Sequence, residues 1–127
     1  MIKFDKDKVL LLHQILVKET GGGDGVRDFG LLDSALAEAF ATFGDEEFYK
    51  TKQEKGASLG YSLVSNHAFV DGNKRIGVYV MLTFLEVNGI KIDATNEEIA
   101  TLGLSIADGK MKYQDVYEWI KLHDVTK

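Results

Sequence analysis

Residues 67–87 read HAFVDGNKRIGVYVMLTFLEV. From Ile76 onward this stretch is apolar nearly all round. A helix of that composition belongs in the middle of a domain, because a surface helix keeps one polar face. The spacing predicts a helix from about Lys74 to Val87, closed by Asn88-Gly89, which can supply a left-handed stop. Just before it, nine residues crowd together a histidine, a carboxylate, a glycine, an amide and two cations.

The flanking segments read as further helices packed on this one. Asp5 caps a first helix to about Glu19, with Val9, Leu12, Ile15 and Leu16 at helical spacing. Gly21-Gly22-Gly23-Asp24-Gly25 ends it as a flexible loop, and a second helix covers about Leu31 to Ala41. The segment TFGDEEFYK, residues 42–50, reads as a loop with Phe43, Phe48 and Tyr49 set among acids. Thr51-Lys52-Gln53-Glu54 is a capping box opening a third helix that ends at His67, and Thr95-Asn96-Glu97-Glu98 opens a fifth. Gly109 breaks the fifth helix, and Tyr113, Val116, Tyr117 and Ile120 form a last amphipathic one around Trp119. No strand of convincing length is visible, so residues 1–127 are expected to form a single all-α domain around the central buried helix.

Composition narrows the function. A chain of 127 residues can bury a core without disulfides or metals. With no cysteine there is no thiolate nucleophile or thiolate zinc site, which fits a reducing cytoplasm. A net charge of −5 argues against non-specific nucleic-acid binding, which needs clustered cations. The apolar run near the N-terminus is too short for a signal or membrane segment. The GGGDG loop lacks the ending of a Walker A loop and follows a helix rather than a strand. Arg27-Asp28 reads as a structural pair, and His13 and His123 as surface or packing residues.

The loop before the central helix carries the chemistry. A helix N-terminus is positive and favours acids, yet Lys74 and Arg75 lie in this first turn. An anion seated there resolves the conflict. Gly72 allows close backbone approach, and successive N–H groups in such a turn can cradle a phosphate. Arg75 adds a planar donor fork and Lys74 a compact charge. Asp71 would repel a phosphate unless Mg²⁺ bridged them, and magnesium commonly takes one or two carboxylates plus phosphate oxygens. Asn73 can orient a phosphate or hold the loop, and His67, four residues before Asp71, can act as general base. Together these groups point to transfer of a phosphoryl or nucleotidyl group to an alcohol.

His67-Ala68-Phe69-Val70-Asp71-Gly72-Asn73-Lys74-Arg75 resembles the motif H-x-F-x-[D/N]-[A/G]-N-K-[R/G] of the Fic/Doc family, in its Doc form. Residues 25–36, GVRDFGLLDSAL, resemble the family's G-[IV]-R-D-x-G-L-L-x-S-A-L segment. Thr42-Phe43-Gly44 and the tract from Phe84 to Thr95 extend the likeness over most of the chain. The resemblance implies an all-α fold, with His67 as general base toward a protein hydroxyl and Asp71 as the Mg²⁺ ligand. It implies Gly72 and Asn73 in the anion nest, Lys74 and Arg75 on the nucleotide phosphates, and Phe69 as an anchor of the loop. It also places Phe43, Phe48 and Tyr49 where relatives carry a target-docking flap, against the alternative of small hydrophobic anchors.

Two positions depart from the AMP-transferring pattern H-P-F-x-x-G-N-G-R-x-x-R. Lys74 replaces the second glycine and Val78 the second arginine. The Doc branch departs in the same way, and its chemistry is phosphoryl transfer from ATP to a threonine of a translation elongation factor. The expectation is a protein Ser/Thr phosphotransferase acting as the toxin of a toxin–antitoxin pair. AMP transfer, or a non-catalytic nucleotide- or antitoxin-binding module, are the alternatives. Ala68 stands where many relatives carry proline, which leaves the loop less rigid. The closest match to the family's inhibitory [S/T]-x-x-x-E-[G/N] run, Ser34 to Glu38, continues with Ala39, so restraint is expected from a separate antitoxin chain laying a helix in an apolar groove.

Overall fold

The structure is a computed structural model and describes residues 1–20, 29–66 and 73–126. Its described helices are α1 (Lys6–Thr20), α2 (Phe29–Ala39), α3 (Lys52–Ser65), α4 (Asn73–Val87), α5 (Asn96–Ala107) and α6 (Tyr113–His123). Between α2 and α3 lies a hairpin of two-residue strands, β1 (Thr42–Phe43) and β2 (Glu46–Glu47), with Thr42 paired to Glu47 and Phe43 to Glu46. The all-α expectation holds, and the segment read as a plain loop contains this small antiparallel pair. Its turn needs a left-handed residue, and Gly44 supplies it at φ 63°.

α4 is the central helix. Ile76, Val80, Met81, Phe84 and Leu85 are all 0% exposed. Phe84 meets Phe4 edge-on at 5.4 Å and Phe40 at 5.8 Å, so it joins the N-terminal segment and the residue that follows α2 to the core. α4 ends where Gly89, at φ 88°, lets the Ile90 N–H return to the Leu85 carbonyl at 2.9 Å. On α1, Val9 and His13 are buried and Ile15 is exposed. The buried stripe is therefore 9, 12, 13 and 16, and Ile15 lies about 100° off its centre at roughly 100° per residue. His13 thus takes a packing position.

Both capping boxes form. Thr51 Oγ1 accepts from Glu54 N at 3.1 Å, while Glu54 Oε1 accepts from Thr51 N at 3.1 Å. Thr95 and Glu98 repeat the pattern at 3.1 and 3.0 Å. The N-terminus is fastened by one amide. Asn88 Oδ1 accepts from Ile2 N at 2.7 Å, and Asn88 Nδ2 donates to the Ile2 carbonyl at 3.0 Å. That side chain stands in for a neighbouring strand.

α3 and α4 run antiparallel in one register: Gly56 faces Leu85, Gly60 faces Met81, and Gly77 faces Val64. Glycine inside a helix costs about 1 kcal/mol relative to alanine. Here the missing Cβ atoms let the backbones approach. A Cβ on Gly60 would lie 2.7 Å from Met81 Sδ, and one on Gly77 would overlap Val64 Cγ2 and lie 2.9 Å from the Val64 backbone nitrogen.

At the other side of the molecule, His123 closes α6 onto α5. Its Nδ1 lies 2.8 Å from the Trp119 carbonyl oxygen and its Nε2 lies 2.8 Å from Glu98 Oε2. Both partners are acceptors, so both ring nitrogens must donate and the fitting state is the imidazolium. Burial of the ring opposes that charge, but the bonds to Trp119 and Glu98, with Asp93 nearby, raise the pKa above the ordinary value. The Thr95 N–H, then His123, hold the Glu98 carboxyl below its ordinary range. The imidazolium's contribution to stability is complete below the unfolded-state pKa of about 6.5 and is lost as pH rises through the raised value. Glu98 contributes above the ordinary carboxylate range and loses its share as pH falls through its lowered value. Raising pH from about 6 to about 9 should therefore lower the urea midpoint of the wild type more than that of His123→Gln. Equal shifts in the two proteins would remove the ion pair from the account.

Candidate active site

The chemistry-bearing loop is bracketed by α3 and α4. α3 closes on Asn66, whose N–H returns to the Ser62 carbonyl at 2.9 Å. Asn66 Nδ2 donates to the Leu31 carbonyl at 3.0 Å and so ties the end of α3 to the start of α2. Its Oδ1 is buried with no hydrogen-bond partner among the described residues. α4 begins at Asn73 with no acidic residue in its first turn. The first turn of this fifteen-residue helix thus supplies no carboxylate to its positive end. Arg75 is exposed in that turn, and one residue later Ile76 is fully buried. Arg75 therefore stands on solvent at the rim of the core.

His67, Asp71 and Gly72 lie outside the described residues, as do Phe69 and Ala68. Asn73 and Lys74 are placed by their backbone alone, in the first turn of α4. Arg27-Asp28 also lies outside. Of the expected site residues, Arg75 is the one whose side chain is described, and its exposure suits a ligand-binding role. Val78 is buried at 3% exposure, where the AMP-transferring pattern needs a phosphate-gripping arginine.

The matching segments extend beyond the loop. The family model of the Fic/DOC family matches residues 3–85. The chain belongs to the Fic/DOC family. It is also 42% identical over 90 residues to a protein of Mycolicibacterium smegmatis named Toxin Doc, covering 71% of this chain and 67% of that one. In this Fic/DOC chain the matched region runs from the segment before α1 to Leu85, and so takes in all of α3 and α4 up to its last two residues.

The aromatic hairpin does not share this end of the molecule. Lys55, in the first turns of α3, is 0% exposed, donates to the Tyr49 carbonyl and pairs with the Glu47 carboxylate. Its ammonium holds the Glu47 carboxyl below the ordinary range. Lys55 and Ser65 are separated by roughly 15 Å of helix at about 1.5 Å per residue. The hairpin thus sits beside the Leu85 end of the helix pair. Tyr49 is the anchor, buried and bonded to Glu38 at 3.2 Å, whereas Phe43 and Phe48 are exposed and meet edge-on at 5.7 Å. Phe43 and Phe48 thus form an exposed aromatic pair on the hairpin, and Tyr49 holds it to the core.

A surface depression between α5 and α6, lined by Glu97, Glu98, Ser105, Met111 and Trp119 among others, contains no motif residue. No group of His, Asp or Glu among the described residues has the arrangement of a metal site. Sequence reasoning missed Asn66, because its value comes from a carbonyl 35 residues away. Replacing Asn66 with aspartate would set a carboxylate against the Leu31 carbonyl, whereas alanine only deletes the bond. Asn66→Ala is expected to lose roughly 1 kcal/mol and Asn66→Asp roughly 1–3 kcal/mol, read as the order of melting temperatures. The reverse order would discard this contact as a fastener.

Proposed function

We propose that the chain is the toxin of a toxin–antitoxin pair and transfers a phosphoryl group from ATP to a Ser or Thr hydroxyl of a protein, with a translation elongation factor as the candidate target. One observation carries the reading: a complete H-x-F-x-D-G-N-K-R run whose last turn opens α4 without an acid and with Arg75 on solvent. The name of the 42% identical relative supports the toxin part.

The donor set fits a magnesium-bearing polyphosphate. The free N–H groups of α4's first turn, Gly72, Asn73, Lys74 and Arg75 supply donors and positive charge, and Asp71 supplies one carboxylate for Mg²⁺. Bound Mg²⁺ would offset negative charge on the phosphate oxygens. Lys74 and Arg75 hold and orient those oxygens. His67, neutral at one ring nitrogen, takes the proton of the incoming hydroxyl. The hydroxyl oxygen bonds to the terminal phosphorus, the bond to the bridging oxygen breaks, and ADP leaves.

Burial of Val78 favours phosphoryl over AMP transfer, since that position offers no donor to distal phosphates. A non-catalytic role keeps the same phosphate contacts without the proton transfer. Residues 1–127 act as one unit in this reading, in the cytoplasm, where the target and ATP are found. No described helix is long and apolar enough to cross a membrane. Exposed Leu11 and Ile15, about one turn apart on α1, suit an antitoxin helix laid along that face.

Incubation with ATP, Mg²⁺ and cell lysate tests the reading. Label should move from the γ position and not from the α position. His67→Ala should lower transfer by about 10²-fold or more and abolish growth arrest. Transfer of the α label would mean AMP transfer, and growth arrest surviving His67→Ala would mean binding rather than chemistry.

A further inference from the structure

The α3–α4 register is uniform, but its tolerance is not. At Gly56 the nearest atoms to an added Cβ belong to the Leu85 side chain, at 2.9 to 3.5 Å. At Gly60 they belong to the Met81 side chain, at 2.7 to 3.2 Å. At both positions the nearest atom belongs to the outer part of a side chain, Leu85 Cδ2 or Met81 Sδ, and no backbone atom is among the three nearest. At Gly77 the neighbours are Val64 Cγ2, the Val64 backbone nitrogen at 2.9 Å and the Gly60 carbonyl oxygen at 3.3 Å. Backbone cannot turn aside, and a valine in a helix is held to one strongly preferred rotamer. The helix pair is therefore least adaptable at the end that carries the motif.

That end frames the reacting groups of the proposed function. Val64 is three residues before His67, and Gly77 is two residues after Arg75. We infer that the Val64–Gly77 contact sets the gap bridged by residues 67–72, making Gly77 a positioning residue for phosphoryl transfer. The inference rests on the functional reading above. The backbone contact ties the end of the helix preceding the general base to the turn that holds the phosphates. An alanine at Gly77 would force the two ends apart by some tenths of an ångström. Alanine's better helix propensity acts in the opposite direction, so loss of rate need not follow loss of stability. Misplacement of a reacting pair by about 1 Å can cost about 10²-fold in rate.

The test compares wild type, Gly77→Ala, Val64→Ala, the Val64→Ala/Gly77→Ala double variant and Gly56→Ala. Transfer of γ label to lysate protein is one readout, and amide chemical shifts of residues 66 to 75 are the other. Gly77→Ala should lower kcat about tenfold, with the KM for ATP changing less, while it keeps a cooperative melt. The double variant removes the overlap with Cγ2 and should recover several-fold of that loss. Gly56→Ala, against the movable Leu85 side chain, should stay close to wild type. Shifts at 66–75 should move in Gly77→Ala and return part-way in the double variant, with those of α5 and α6 unmoved. If Gly77→Ala is not recovered folded, the double variant against Val64→Ala carries the comparison, because the contact with the Val64 backbone nitrogen persists in it. Wild-type rate in Gly77→Ala, an additive loss in the double variant, or an equal loss in Gly56→Ala would each overturn the inference. A wild type that transfers no label sinks the functional reading alone, and the chemical shifts then decide the inference.

Discussion

Where α3 crosses α4, Gly60 and Gly77 let two helix backbones approach closely enough that a Cβ at either position would collide with its neighbour. Most of the molecule depends on that contact. It buries one face of α4 from Ile76 to Leu85, and α2, α5 and α6 then cover what the pair leaves open. It also fixes how near the end of α3 lies to the start of α4. A loop between two such helix ends inherits its span from the packing below it.

Polar groups refine this packing at the opposite end. Lys55 is wholly buried yet bonded to the Tyr49 carbonyl and the Glu47 carboxylate, so its charge is compensated and the hairpin is held against α3. Asn88, almost buried, gives its amide to Ile2 and its carbonyl oxygen to Lys52 Nζ at 2.7 Å. Removing one partner from such a set would leave a buried polar group unpaired, which costs more than the bond itself contributes. The end away from the loop is thus fastened by specific bonds. Among the described residues, the loop end shows backbone proximity and the Asn66 amide.

This division suits the function proposed. An acidic chain of net charge −5 nonetheless places Lys74 and Arg75 together at one helix start, where the helix dipole has the same sign. Arg75 on solvent beside fully buried Ile76 places the proposed phosphate-binding group next to the packed core. Preorganised charge of this kind needs little rearrangement when a ligand arrives, which is the physical basis of electrostatic catalysis.

Much of the architecture was legible from local signals. The capping boxes at Thr51 and Thr95, the stop at Gly89 and the apolar run of α4 depend on residues within a turn or two of each other. For the same reason the nine-residue motif could be read directly, because its meaning is carried by residue types at short spacing. The hairpin was hidden because its strands are two residues long and are held from outside by Lys55. The exposed side of Ile15, the imidazolium at His123 and the role of Asn66 were hidden because their partners come from other elements. Glycine shows the limit most clearly. Within a sequence Gly60 and Gly77 look like weak points in helices, and only the facing helix, through Met81 at one and the Val64 backbone at the other, shows why a Cβ has no room there.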